Sequence, residues 1–231
     1  MTIPKLLLEV QNRRSDIIQL TSDLIKIPTI NPPGTNYREI CEFLSKRLKK
    51  SGFDVDIIRA KGALADTDKY PRFNLVARHE GTYSGPCIHF NSHIDVVDTG
   101  HGWTRDPFGG SIEGDKIFGR GSCDMKGGLA SSIVAAEVFI SIFPKYYGAI
   151  EISATADEET GGYGGVAWLA EKGYFNPKKV QSVIIPEPLN KDRICLGHRG
   201  VWWSEIETKG RVAHGSMPFL GDCAIRHMGA V

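Results

Sequence analysis

The stretch GAIEISATADEETGG, from Gly148 to Gly162, decides how the rest of the chain is read. Its opening run, Gly148–Ala156, is rich in Ile and Ala and short enough for a buried strand. Three acids follow at once, Asp157, Glu158 and Glu159, and Gly162 then opens a helix-type segment reaching Lys172. A strand that ends on carboxylates and turns into a helix suits an open α/β sheet. In such sheets, ligand sites gather outside the carboxyl ends of the strands.

The same alternation continues outward on both sides. Within the first 30 residues, Leu7, Val10, Ile17, Leu20, Leu24 and Ile27 recur at helical spacing, stopped by Asn31-Pro32-Pro33-Gly34. A second helix is predicted from Tyr37 to Lys50, and short strands over Phe53–Ile58, Phe73–Arg78 and Pro86–Asn91. A long helix follows Asp124 and reaches about Phe143, and a strand covers Val180–Pro186. Further β-type segments lie around Ile194 and over Val201–Thr208, and Arg59–Arg72 reads as a polar surface loop. The expected fold class is α/β, a mixed sheet flanked by helices.

Composition narrows the functional classes. The chain has 231 residues, 28 Lys+Arg against 27 Asp+Glu, and a formal net charge of +1. With 41% hydrophobic residues it can bury a core, and it lacks the basic excess of a nucleic-acid binder. The longest apolar stretch, Gly127–Phe143, carries Glu137 and small polar residues, so it reads as a buried helix and no membrane span is expected. The first 16 residues have no leader-type apolar region. Five scattered cysteines without a C-x-x-C pair argue against a disulfide framework or a cysteine zinc site, and a cytoplasmic location is expected.

The chemistry concentrates at strand ends. His93 and Asp95 follow the strand that ends at Asn91, the three acids follow Ala156, Glu187 follows Pro186, and Asp124 precedes a helix. Taken singly, His93 is a loop histidine, Asp124 a helix N-cap and the acid run a solvated turn. Together they deliver imidazole and carboxylates to one sheet edge, a donor set suited to zinc, cobalt or manganese. A carboxylate shared by two ions suits a two-metal hydrolase, with one neighbouring Glu left off the metals as general base. The glycine pattern Gly162–Ala167 also fits a dinucleotide turn, but the acids in front of it would repel a pyrophosphate.

In order, NSHIDVV (Asn91–Val97), GWTRDPFGG (Gly102–Gly110), GRGSCDMKGG (Gly119–Gly128), ATADEETGG (Ala154–Gly162) and IIPEP (Ile184–Pro188) resemble the di-zinc aminoacylase/carboxypeptidase family. That family includes acetylornithine deacetylase and succinyl-diaminopimelate desuccinylase. The resemblance implies two divalent ions, zinc ahead of cobalt. It makes His93, Asp124 and Glu187 ligands of the first metal, and Asp124 and Glu159 ligands of the second. It casts Glu158 as general base, Asp95 as the group orienting His93, and the Asp124–Met125 peptide as cis. GRVAHGSMP (Gly210–Pro218) is similar to the opening of the family's lid, which implies an oxyanion role for His214. Arg199, in GHRG, becomes a candidate contact to an acidic substrate group.

The implied organisation is a catalytic domain over 1–198 and the start of an α+β lid over 199–231, with Trp202 and Trp203 packing in or near the lid. The implied substrate is an N-acyl amino acid, with a dipeptide or C-terminal peptide as the alternative. The family's last ligand of the second metal is a histidine from a returning segment, and none of His198, His214 or His227 matches it. The second site is therefore expected to be weak and the chain to behave as a fragment with poor activity, or as a metal-binding chain without catalysis. A homodimer is expected for a full-length form.

Overall fold

The computed structural model describes residues 3–190, 192–197 and 199–231. They form two compact units, Met1–Lys191 and Asp192–Val231.

The first unit is built on a five-stranded mixed sheet. Its strands are β1 (Asp54–Arg59), β2 (Phe73–Glu80), β3 (Tyr83–His93), β6 (Tyr147–Thr155) and β7 (Val180–Ile184), in the spatial order β1-β2-β6-β3-β7. β1 and β2 pair antiparallel, as do β2 and β6, whereas β3 runs parallel to both β6 and β7. Helices α1 (Ile3–Asn12), α2 (Arg14–Ile25), α3 (Tyr37–Lys50) and α4 (Lys126–Ile142) complete the core, and the short α5 (Val166–Glu171) lies between β6 and β7. Leu24, Ile40, Leu44 and Leu48 pack with Leu75, Ile133, Val134, Ile152 and Ala154 in one buried cluster. Burying each such Leu or Ile is worth about 1.5–3 kcal/mol over leaving it exposed.

The structure departs from the expectations at four places. The helix of the first 30 residues is two helices, parted at Arg13, where the chain turns its guanidinium toward Glu137 of α4 (2.9 Å). No strand forms around Ile194 or over Val201–Thr208, because those segments have no ladder partner to satisfy their backbone groups. A small hairpin, β4 (Ser111–Glu113) and β5 (Lys116–Phe118), was not anticipated, although Gly114-Asp115 between Ile112 and Ile117 is a turn signal. Trp202 and Trp203 do not pack but are 91% and 86% exposed.

Parallel register places the site. His93, the last residue of β3, pairs with Thr155, the last of β6, so the acid turn emerges beside the imidazole. β7 pairs Ile184 with Phe90 and brings Glu187 to the same edge. Two glycines permit close approach there. A Cβ at Gly128 of α4 would collide with the Pro186 carbonyl, and one at Gly165 would collide with the Ala156 carbonyl. The glycine run after the acids is therefore used for packing the turn onto β6, which is why α5 starts only at Val166.

Candidate metal centre

His93 is the centre of the cluster. Its Nδ1 donates to the Asp95 backbone carbonyl at 2.9 Å, which directs Nε2 at Asp124 Oδ1, also at 2.9 Å. Glu158 Oε2 and Glu187 Oε1 lie 3.9 and 3.8 Å from the same nitrogen. His93, Asp124 and Glu159 each offer a donor atom within 4.8 Å of the other two. Among the described residues this is the group of histidine, cysteine and acidic side chains that could hold a metal ion. Glu187 stands beside it without joining that group.

The charges fit a cation. Burial pushes the Glu159 carboxyl up to about 7, opposed by His93 and reinforced by Asp124, Asp95 and Glu158. Glu187 is also pushed up to about 7, by burial and by the neighbouring Asp124 and Glu158. Burial would lower His93, but its hydrogen bonds to Asp124 and Asp95 and the charge of Glu187 hold it up at about 11. His93 in turn keeps Asp124 below the usual carboxylate range. An imidazolium thus supplies the positive charge that four crowded carboxylates require. A divalent ion supplies more of it and displaces those protons, so the residues present fit such an ion.

Asp95 meets His93 Nδ1 through its backbone carbonyl at 2.9 Å, with its carboxylate Oδ1 3.5 Å from the same nitrogen. Its two carboxylate oxygens also accept the backbone N–H groups of Glu158 (3.2 Å) and Glu159 (3.1 Å) and the Asn31 amide (2.9 Å). Asn31 also donates to Thr160 Oγ1 at 2.9 Å, so Asp95 and Asn31 together hold the acid turn from below. The Asp124–Met125 peptide is cis, and Met125 Sδ accepts the His93 backbone N–H. Buried Lys126 donates to the Leu24 and Ile27 carbonyls at the end of α2, and burial lowers its ammonium to about 7. Asp157 is not an uncompensated acid, since it is buried against Arg72. Asn31, Arg72 and Lys126 are not marked by the sequence, because Asp95, Asp157 and the Leu24 carbonyl, which they meet, lie 64, 85 and 102 residues away.

His214 belongs to the second unit, where its Nδ1 is 2.8 Å from Ser216 Oγ. Arg199 lies in the same unit, and His198 falls outside the described residues.

A model of peptidase family M20/M25/M40 matches residues 89–223, more than half of the chain and every residue of the His93 cluster. The chain belongs to this family. Its M20-type sequence is 35% identical over 212 residues to a probable succinyl-diaminopimelate desuccinylase of Staphylococcus epidermidis, covering 91% of this chain and 48% of that protein. It is 32% identical over 213 residues to the succinyl-diaminopimelate desuccinylase of Pseudomonas syringae, covering 89% of this chain and 52% of that one. The M20 chain thus spans about half the length of the curated relatives it matches. Its fold is shared with human carnosine dipeptidase 1 (TM-score 0.66, 21% identity, 80% of this chain and 41% of that one). It is also shared with the di-peptidase Dug1p of Saccharomyces cerevisiae (TM-score 0.67, 19% identity, 91% and 43%). Among the described residues, no helix is long and apolar enough to cross a membrane.

Proposed function

We propose that this M20 chain forms the metal-binding part of a hydrolase that cleaves the amide bond of an N-acyl amino acid, of the deacetylase or desuccinylase type. The convergence of His93, Asp124 and Glu159 on one point, with Glu187 and Glu158 beside them, carries the reading. Relatives at 32–35% identity that are desuccinylases favour an N-acyl substrate over a dipeptide. A solved relative in the fold, from Bacillus subtilis, is described as a dinuclear metal binding peptidase, which supports two ions.

His93, Asp124, Glu159 and Glu187 would hold divalent ions, zinc ahead of cobalt, which when bound supply Lewis acidity toward the amide carbonyl and toward water. Glu158 stands apart from this group with half its side chain exposed, which supports a role as the base that would take a proton from water and pass it to the leaving amine. Asp95 fixes the backbone from which both glutamates project. His214 is our candidate donor to the developing oxyanion, and Arg199 our candidate contact to an acidic acyl group. A lid beginning in the second unit, a homodimer and a cytoplasmic location complete the proposal.

The test is zinc content per chain by mass spectrometry, followed by succinate release from N-succinyl-diaminopimelate. The expected result is bound zinc, turnover in the wild type, and a Glu158→Ala variant that keeps the metal and loses turnover. Unchanged turnover in Glu158→Ala would remove the base assignment. Bound zinc without any turnover would leave a metal-binding chain and sink the hydrolase reading for it.

A further inference from the structure

We infer that Arg72 is a positioning residue for the metal centre: locked on Asp157, it sets the direction in which Glu158 and Glu159 present their carboxylates. This rests on the metal-binding reading above.

Arg72, at the entrance to β2, donates from Nε to Asp157 Oδ2 at 2.9 Å, with both side chains 3% exposed. Its Nη1 donates to the Pro33 carbonyl at 2.7 Å and the Tyr70 carbonyl at 2.8 Å. The Tyr37 hydroxyl donates to the other Asp157 oxygen at 3.1 Å. The space around the guanidinium is closed. A Cβ at Gly34 would come within 2.5 Å of Nη1, and one at Gly164 would collide with both Arg72 Cγ and Asp157 Oδ2.

Asp157 is the pivot of the turn. It has a left-handed backbone (φ +63°), uncommon for a residue with a side chain, and its carbonyl accepts the N–H groups of Thr160 and Gly162. Fixing its carboxylate therefore fixes the one-turn helix Glu158–Thr160 that follows. Arg72 and Tyr37 hold this turn through its first side chain, while Asp95 and Asn31 hold it through the next two amides and Thr160. Stability does not require a buried ion pair, since an apolar pair of similar volume often serves as well. A planar guanidinium reaching three acceptors on three segments does supply direction, and a lysine ammonium cannot reproduce that fork.

The experiment uses the whole chain with Co2+ as probe, its affinity read by chelator competition and its geometry by the visible absorption bands. Folding is checked by circular dichroism at the same temperature. Arg72→Lys is expected to weaken Co2+ binding about tenfold and to alter the bands, the low end of the about ten- to hundredfold cost of losing a ligand's direct partner, because Arg72 acts on Glu159 through Asp157. Tyr37→Phe keeps the ring and Arg72 and should weaken binding by a smaller factor. Methylguanidinium added to Arg72→Ala should restore part of the wild-type spectrum. Equal affinity and superimposable spectra for wild type and folded Arg72→Lys would overturn the inference. If the arginine variants do not fold, Asp157→Asn, which weakens the same contact from its other side, takes their place, and an unchanged spectrum in it overturns the inference. A wild-type chain that binds no Co2+ defeats the metal-binding reading itself, a result distinct from either.

Discussion

The acid turn Asp157–Thr160 and the segment Asp192–Val231 both carry recognisable motifs, ATADEETGG in one and GRVAHGSMP in the other. Their physical states are opposite. Each residue of the turn is held by a partner distant in sequence: Asp157 by Arg72 and Tyr37, Glu158 and Glu159 by Asp95, Thr160 by Asn31. In the second unit no described residue is buried, and His214 bonds to Ser216 within its own loop. A motif states which side chains a site uses. Whether they are held depends on burial, because hydrogen bonds and ion pairs gain strength where water is excluded.

The largest expected effect is on chemistry at the turn. Glu158→Ala should lower turnover by about 10²–10⁴-fold, the usual contribution of a general base, with zinc content unchanged. In the core that supports the turn, Leu44→Ala should cost about 2–5 kcal/mol in urea unfolding, since Leu44 is completely buried. A value near zero would mean that the first unit is no better packed than the second. Zinc at about one hundred times its dissociation constant should stabilise the wild type by about 2.7 kcal/mol, read as a rise in Tm. The same rise in His93→Ala would show that the ion binds elsewhere and break the contrast.

Acid titration probes the outer support of the first unit. Arg47, assisted by Arg13, holds the Asp16 carboxyl down at about 2, against the effect of burial. A depressed folded pKa means that the stabilisation is present above about pH 4 and lost as pH falls through about 2. With partial exposure discounted, about 1–2 kcal/mol should vanish in that window, and an Asp16→Asn variant should not show the loss. The smallest effect is expected in the second unit. Trp202→Ala should change stability by less than about 0.5 kcal/mol, because the ring is exposed. A larger loss would reveal packing at Trp202.

Much of the fold was readable because it depends on local pattern. α3 occupies Tyr37–Lys50 as its apolar spacing implies, and β2, β3, β6 and β7 fall within a few residues of the expected strands. The β-type sequence at Ile194 and Val201–Thr208 misled, since β-propensity describes a side chain that fits a sheet and cannot supply the neighbouring strand. Within the candidate site, the acids and His93 were visible from their positions at strand ends. Arg72, Asn31 and the carboxylate role of Asp95 were not visible, because nothing in their local sequence marks the residues they meet.

The amino-acid sequence by itself determined the alternation of helices and strands, the donor types at the sheet edge and membership of the family, all of which follow from periodicity and residue chemistry. Only the tertiary structure decided which acid is a pin and which stand at the His93 cluster. Asp157, Glu158 and Glu159 are neighbours of like chemistry, and they are told apart by the parallel register of β3 and β6 and by a guanidinium 85 residues away. Burial against that guanidinium turns Asp157 into structure, and partial exposure at the strand end leaves Glu158 available to water.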